Sequence, residues 1–250
     1  MNIADHDIIS ERYFFPRRQP LNDAVMVDVE DAELACFESG TGHDLTVIHF
    51  HGNGEIVADY LPGFAGHLND AGADAFFAEY RGYGGSSGVP RLAKMLDDVT
   101  AVRRAVDAPD EQIVVFGRSI GSIYAIEFAA QFPKIAGLAL ESGIADVLER
   151  ILWRATPAEL GATREAMQDE FHRLFDHRDK LQKFEGPTLV MHAEQDHLVD
   201  KSHGIRNAEW AGGPTRLVLF ERGDHNSIFH ANRDEYLAEL NEFLDEVRPK

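Results

Sequence analysis

Six short apolar runs, separated by stretches of helical periodicity, constrain this chain more than any single motif. They are LTVIHF (45–50), ADAFFAEY (73–80), QIVVFG (112–117), IAGLALE (135–141), TLVMHA (188–193) and TRLVLFE (215–221). A strand with one wet face alternates apolar and polar residues. These runs barely alternate, so each strand must be covered on both faces. The cover comes from helical patterns over 56–69, 92–106, 119–131 and 227–247; in the second, Leu92, Met95, Leu96, Val99, Val102 and Val106 share one face. Strand–helix alternation of this kind predicts the α/β class, a mostly parallel sheet with helices on both faces. Ahead of it, Val25, Val27 and Val29 alternate, and the pattern restarts after Glu30-Asp31 and runs to Phe37. That predicts an antiparallel hairpin at the sheet edge. Tyr13 to Pro20 reads as an irregular arm rich in Pro and Arg.

The interval between Glu141 and Thr188 breaks the rhythm. It carries a helical stripe of Ile144, Val147, Leu148, Ile151 and Leu152, then Thr156-Pro157-Ala158-Glu159, then a second stripe of Met167, Phe171, Leu174 and Phe175. Thr156 fits an N-cap, Pro157 the first helical position and Glu159 the capping-box acid. The interval is too long for a connection and too ordered for a linker. It predicts a helical lid, at about 142–185, inserted over the C-terminal edge of a single domain spanning 1–250; the alternative is that these helices simply extend the core.

Composition narrows the function classes. A chain of 250 residues suits one large core. Charged residues or histidine interrupt every apolar run short of membrane-spanning length, and MNIADHDIISER lacks the basic start of a signal peptide. Cys36 is the only cysteine, so neither an internal disulfide nor a cysteine-based zinc site is expected. A cytoplasmic location with no stable membrane insertion follows as an expectation. The net charge of −19 leaves no basic surface to displace phosphate counterions, so no nucleic-acid partner is expected. The oligomeric state is left open.

In open α/β sheets the chemistry collects beyond the carboxyl ends of the strands. Ser119 stands there, in Gly117-Arg-Ser-Ile-Gly121, between the strand QIVVFG and a helix. So sharp a hinge lifts the serine out of the sheet, and the Ile120 N–H at the first helical turn is free to meet an oxyanion. Ser86 lies in a second match to the same pattern, Gly84 to Gly88, but Pro90 follows and no helix begins until about Leu92. It is expected to be a flexible loop residue. A serine nucleophile needs a base, and the base an orienting carboxylate. Asp196 follows the strand TLVMHA and His225 follows TRLVLFE, completing the order Ser, Asp, His. Glu141 and Asp146 are rival acids. His197, His203 and His230 are rival histidines, while Asp200 suits a helix start and Asp224 faces away from His225. In HFHGNGE, Asn53 sits between two glycines, and its N–H would complete the oxyanion hole with that of Ile120. His49 and His51 share a strand face, but no carboxylate or cysteine cluster joins them, so no metal is expected.

These segments, FHGNGE, YRGYGGSSG, GRSIGS, ALESG, AEQDHLVD and RGDHN, resemble the α/β-hydrolase superfamily in order and spacing, over nearly the whole chain from about Val25. The chain looks closest to small-lidded serine hydrolases related to prolyl-oligopeptidase-type peptidases and depalmitoylating thioesterases. The resemblance implies Ser119 as nucleophile, Asp196 as acid, His225 as base, and Asn53 and Ile120 as oxyanion donors. It implies no cofactor. Where Ala193 stands the family usually has glycine, a departure that leaves the three residues untouched.

The reading that follows is a serine hydrolase acting on a small-molecule acyl substrate, an ester or thioester. Leu148, Leu152, Trp153, Phe171 and Phe175 of the expected lid would wall an apolar acyl site. Arg118 is either a clamp for a substrate carboxylate or a surface ion pair. An aminopeptidase with the same triad, anchoring the substrate amine on Glu55, Glu141 or Asp146, is the first alternative. A non-catalytic binding protein on the same fold is the second.

Overall fold

The computed structural model describes residues 2–249. Eight strands form one sheet in the order β1-β2-β4-β3-β5-β6-β7-β8. The strands are β1 (Val25–Val29), β2 (Ala32–Ser39), β3 (Thr46–Phe50), β4 (Asp74–Ala78), β5 (Ile113–Arg118), β6 (Gly137–Glu141), β7 (Thr188–Ala193) and β8 (Thr215–Phe220). β1 and β2 form the antiparallel edge hairpin, and every pairing from β4 to β8 is parallel.

The two-residue period of a strand explains the continuous apolar runs. In β5, Val114 and Phe116 enter one core while Ile113 and Val115 enter the other. Phe76 and Phe77 of β4 divide the same way. One face is covered by α2 (Gly63–Asp70) and α10 (Arg233–Val247), through residues such as Leu68, Leu240 and Phe243. The other is covered by α3 (Lys94–Ala105), α4 (Gly121–Gln131), α7 (His177–Lys183) and α8 (Lys201–Trp210), with α1 (Asp7–Tyr13) alongside. Among the described residues no helix is long and apolar enough to cross a membrane.

Several elements depart from expectation for local reasons. The pattern over 56–69 is cut by Pro62 into a 3-10 turn, Val57–Tyr60, and α2. The pattern over 227–247 breaks at Asn232, whose side-chain amide donates to the Arg222 and Ile228 carbonyls, leaving α9 (Ile228–Ala231) ahead of α10. Thr156 and Glu159 do exchange capping-box hydrogen bonds, but Gly161 turns left-handed (φ +62°) and no helix grows. α1 lacks a pattern strong enough to read in advance, and of α8 only its start at Asp200 is legible.

The interval between β6 and β7 holds α5 (Val147–Leu152), α6 (Arg164–Phe175) and α7. Val147, Ile151, Met167, Phe171, Phe175 and Leu181 enter the same core as β5 and α4. Burial of that stripe in the main core is testable. Phe171, at 2% exposure, should cost about 3–5 kcal/mol of unfolding free energy when replaced by Ala, measured by urea denaturation. A cost below about 1 kcal/mol, the size of a surface change, would contradict its place in the core.

Candidate active site

The parallel register sets Phe50 beside Gly117, Arg118 beside Glu141 and Ala193 beside Phe220. The loops after β3, β5, β6, β7 and β8 therefore leave the sheet at one edge. Ser119 follows β5 with φ +52°, a left-handed turn that its neighbours hold in place. Its N–H donates to the Glu141 carbonyl at 2.8 Å, and its own carbonyl accepts from the Ser122 hydroxyl at 2.6 Å. Ser122 in turn accepts from the Ile144 N–H at 2.8 Å, stitching the turn to the loop after β6.

Ser119, His225 and Asp196 meet at this edge. The Ser119 hydroxyl lies 2.8 Å from His225 Nε2, and His225 Nδ1 lies 2.7 Å from Asp196 Oδ2. The network requires Nδ1 to carry the proton, leaving Nε2 to accept from the serine. Asp196 Oδ1 accepts the N–H groups of Leu198 and Val199, at 2.9 and 2.8 Å. Burial pushes the Asp196 carboxyl up, but hydrogen bonds from His192, His225 and the Val199 N–H prevail and hold it well below the usual carboxylate range. All three side chains are buried, yet Ser119 and His225 line a cavity of about 260 Å3.

Asn53 and Ile120 line the same cavity. The backbone N–H groups of both meet no protein acceptor among the described residues. Asn53 is fixed from its side chain: Oδ1 accepts from the Tyr83 hydroxyl at 2.8 Å and the Phe15 N–H at 3.1 Å, and Nδ2 donates to the Tyr13 carbonyl. The preceding loop is braced by His51, whose Nε2 is 2.6 Å from Glu79. Burial pulls the His51 imidazole down, but the adjoining Glu79 carboxylate outweighs it and raises it above its ordinary value. His49 goes elsewhere, into a box of Tyr60, Phe64, Phe77 and Phe116, so the two histidines do not converge.

The rival residues are engaged in other work. Asp146 caps α5 by accepting from the Glu149 N–H, and Asp200 caps α8 through the Ser202 N–H. Asp224 accepts from Asn226 and Ser227 within its own turn. His203 accepts from the Ala145 N–H, while His197 and His230 are exposed.

Three expectations need correction. Ser86 is not flexible: it is fully buried, and its hydroxyl accepts the Ala35 N–H at 2.9 Å, pinning the glycine-rich loop to β2. Arg118 is neither a clamp open to substrate nor a surface pair. It is 9% exposed and engaged with Glu55 at 2.5 Å, Glu141 at 2.9 Å and the His225 carbonyl at 2.8 Å. The five residues expected to wall an acyl site do not line the Ser119 cavity. Phe171 and Phe175 are core residues, and with Leu148 they border a separate cavity; Leu152 packs on the core, and Trp153 is 64% exposed. An apolar helical stripe reports that a face is buried, and here the main core does the burying.

The cavity walls come instead from Tyr13, Phe15, Ile144 and Leu198, with Arg150 and Arg154. The N-terminal arm was not legible as part of the site. Its one signal was an aromatic cluster, Tyr13-Phe14-Phe15, ahead of the first strand, and nothing in such a cluster says where an arm will dock. A larger cavity of about 400 Å3 adjoins this one across Arg118 and Asn226, but it does not include Ser119.

A sheet in this order, with a strained serine turn after β5 and partners after β7 and β8, defines the α/β-hydrolase fold. The profile of the family described as serine aminopeptidase, S33 (Hydrolase_4) matches residues 41–177, more than half of the chain, and the chain belongs to that family. It is 28% identical over 209 residues to the alpha/beta hydrolase domain-containing protein aho-3 of Caenorhabditis elegans, covering 80% of this chain and 57% of that protein. It is 25% identical to human alpha/beta hydrolase domain-containing protein 17B, covering 80% and 66%. The chain thus spans 57% and 66% of the length of these two relatives. Among solved structures it is similar to the Pyrococcus furiosus esterase Pf2001, with a TM-score of 0.72 at 19% identity over 92% of this chain and 98% of that one. Est1E of Butyrivibrio proteoclasticus gives 0.71 at 17% identity over 90% and 99%.

The turn itself gives a paired test. A Cβ at Gly121 would lie 2.1 Å from the Phe50 carbonyl oxygen, whereas one at Gly66, inside α2, meets nothing within 4 Å. Gly121→Ala should therefore lose about 1–3 kcal/mol or more of stability to overpacking. Gly66→Ala should gain about 0.5–1 kcal/mol. Thermal or urea unfolding of both checks this, and equal effects at the two sites would contradict the close approach.

Proposed function

We propose that this protein is a cofactor-independent serine hydrolase cleaving carboxylic ester or thioester bonds in a small acyl substrate. The observation that carries this reading is the 2.8 and 2.7 Å chain from Ser119 through His225 to Asp196. His225 Nε2 takes the Ser119 proton as Oγ attacks the acyl carbon. The oxyanion is met by the N–H groups of Asn53 and Ile120, and Asp196 holds the imidazolium. As the tetrahedral species collapses, the bond from acyl carbon to leaving oxygen or sulfur breaks, and the leaving group receives the proton from His225. Water then gives a proton to His225 and attacks the acyl-serine. The Ser119–acyl bond breaks, Oγ regains its proton and the acid departs.

The family description favours a second reading, cleavage after an amino-terminal residue. Such an enzyme needs a free carboxylate near the serine to hold the substrate amine. No Asp or Glu lines the Ser119 cavity among the described residues, and Glu55 and Glu141 are both committed to Arg118. The ester reading is preferred on that ground. The proposal extends to a single domain with an insertion at about 142–185, and to a cytoplasmic location, for which the lone Cys36 is the support.

Turnover of 4-nitrophenyl acyl esters, set against aminoacyl 4-nitroanilides, tests the reading. Esters should be cleaved, and Ser119→Ala should lower kcat by at least about 10³-fold. Activity confined to anilides would sink it. The pH dependence follows from the site. Protonating His225 removes the acceptor of the serine proton, so kcat/KM must fall as pH falls. Asp196 is held low and stays ionised, so the acid limb should show one proton, slope one, and not two.

A further inference from the structure

Three arginines are buried among the described residues: Arg81, Arg118 and Arg150. Arg81 meets Asp98 at 2.6 Å, and Arg118 meets Glu55 and Glu141. Arg150 pairs with no carboxylate among the described residues, although it is only 9% exposed. Its Nε is buried without a hydrogen-bond partner. Taking a guanidinium out of water costs several kcal/mol, normally offset by a counter-charge. Here the protein supplies an aromatic face, Trp153, with the guanidinium 4.2 Å from the ring centroid. The Tyr13 hydroxyl feels the Arg150 charge and a hydrogen bond from its side chain. Burial still pushes that phenol up to about 12, so it is a neutral neighbour and not a counter-ion.

Arg150 lines the cavity that holds Ser119 and His225. Arg154 lines it too, stacked 5.2 Å from the Phe15 ring centroid and likewise without a carboxylate. The same wall has no Asp or Glu among the described residues. In a chain with 43 acidic and 24 basic residues, composition alone would set carboxylates beside these cations. The cavity is arranged the opposite way, with arginines and no carboxylate in its wall.

We propose that the substrate carries a carboxylate on the portion held in the Ser119 cavity, and that Arg150 binds it. Arg150 lines the cavity, and the forked N–H donors of a guanidinium suit the two oxygens of a carboxylate. Arg154, at the exposed rim, adds to the attraction. This specificity rests on the hydrolase reading above and names its substrate class: half-esters of short dicarboxylic acids, within what about 260 Å3 admits.

The test compares monoethyl glutarate with ethyl pentanoate, matched in acyl length and differing in charge, by ethanol release. The wild-type protein should prefer the anionic ester in kcat/KM by about tenfold to a hundredfold, the worth of a charge-assisted hydrogen bond. Arg150→Gln should bring the ratio to about one, and Arg154→Gln should lower it in part. A wild-type ratio of one or less overturns the carboxylate proposal and leaves the hydrolase standing. A high ratio that survives both substitutions overturns the assignment to these arginines. If folded protein cleaves 4-nitrophenyl esters but neither ethyl ester, this proposal fails alone; if it cleaves none of them, the hydrolase reading fails with it. Should Arg150→Gln not fold, the wild-type ratio and Arg154→Gln still decide.

Discussion

Arg118 is the residue before Ser119, and its guanidinium reaches two loops and the end of a strand. It meets Glu55 after β3, Glu141 at the end of β6, and the backbone carbonyl of His225 after β8. Each partner belongs to the site in its own right. Glu55 lies two residues from Asn53 and accepts the Gly52 N–H, while the Glu141 carbonyl accepts the Ser119 N–H. Tyr60 and Tyr236 donate to the remaining oxygens of the two carboxylates, at 2.6 and 2.5 Å. Burial disfavours the Arg118 charge, but Glu141 and Glu55 more than restore it, so the guanidinium stays ionised. A buried ion cluster of this kind adds little net stability against an apolar substitute. Breaking it from one side is costly, because a charge is left stranded. The loops carrying Ser119, His225 and Asn53 are thereby locked to one another.

Much of this was legible in the sequence. The unbroken apolar runs gave away a sheet covered twice, since only such a sheet leaves no strand face for polar residues. That Ser119, Asp196 and His225 lie at one sheet edge followed from the rule that parallel strands end together. Packing partners were not legible. The stripe through Phe171 and Phe175 said that a face was buried and was silent on the surface it met. Ser86 looked mobile among glycines because its anchor, the Ala35 N–H, is remote in the chain. Arg118 was ambiguous for the same reason: a guanidinium is defined by its acceptors, and these are remote in the chain. Arg150 and Arg154 carried no motif at all.

Charge connects the site to the rest of the molecule. The protein carries a net −19, yet two unpaired guanidiniums and no carboxylate face the serine. At physiological salt the general negative field is screened within about 8 Å, so an approaching molecule responds to what is local. Inside a partly closed cavity screening is weaker, and the arginines there count for more than the distant surface acids. An amine would find no partner beside Ser119, while an anion would find two.

The central claim is that Ser119, and no other hydroxyl, is the nucleophile set by the Arg118-locked edge. Mass-spectrometric mapping of the adduct formed with a fluorophosphonate probes it directly. The account predicts one adduct, on Ser119, absent from a folded Ser119→Ala protein. An adduct on Ser86, an adduct persisting in Ser119→Ala, or no adduct on the folded wild-type protein would contradict it.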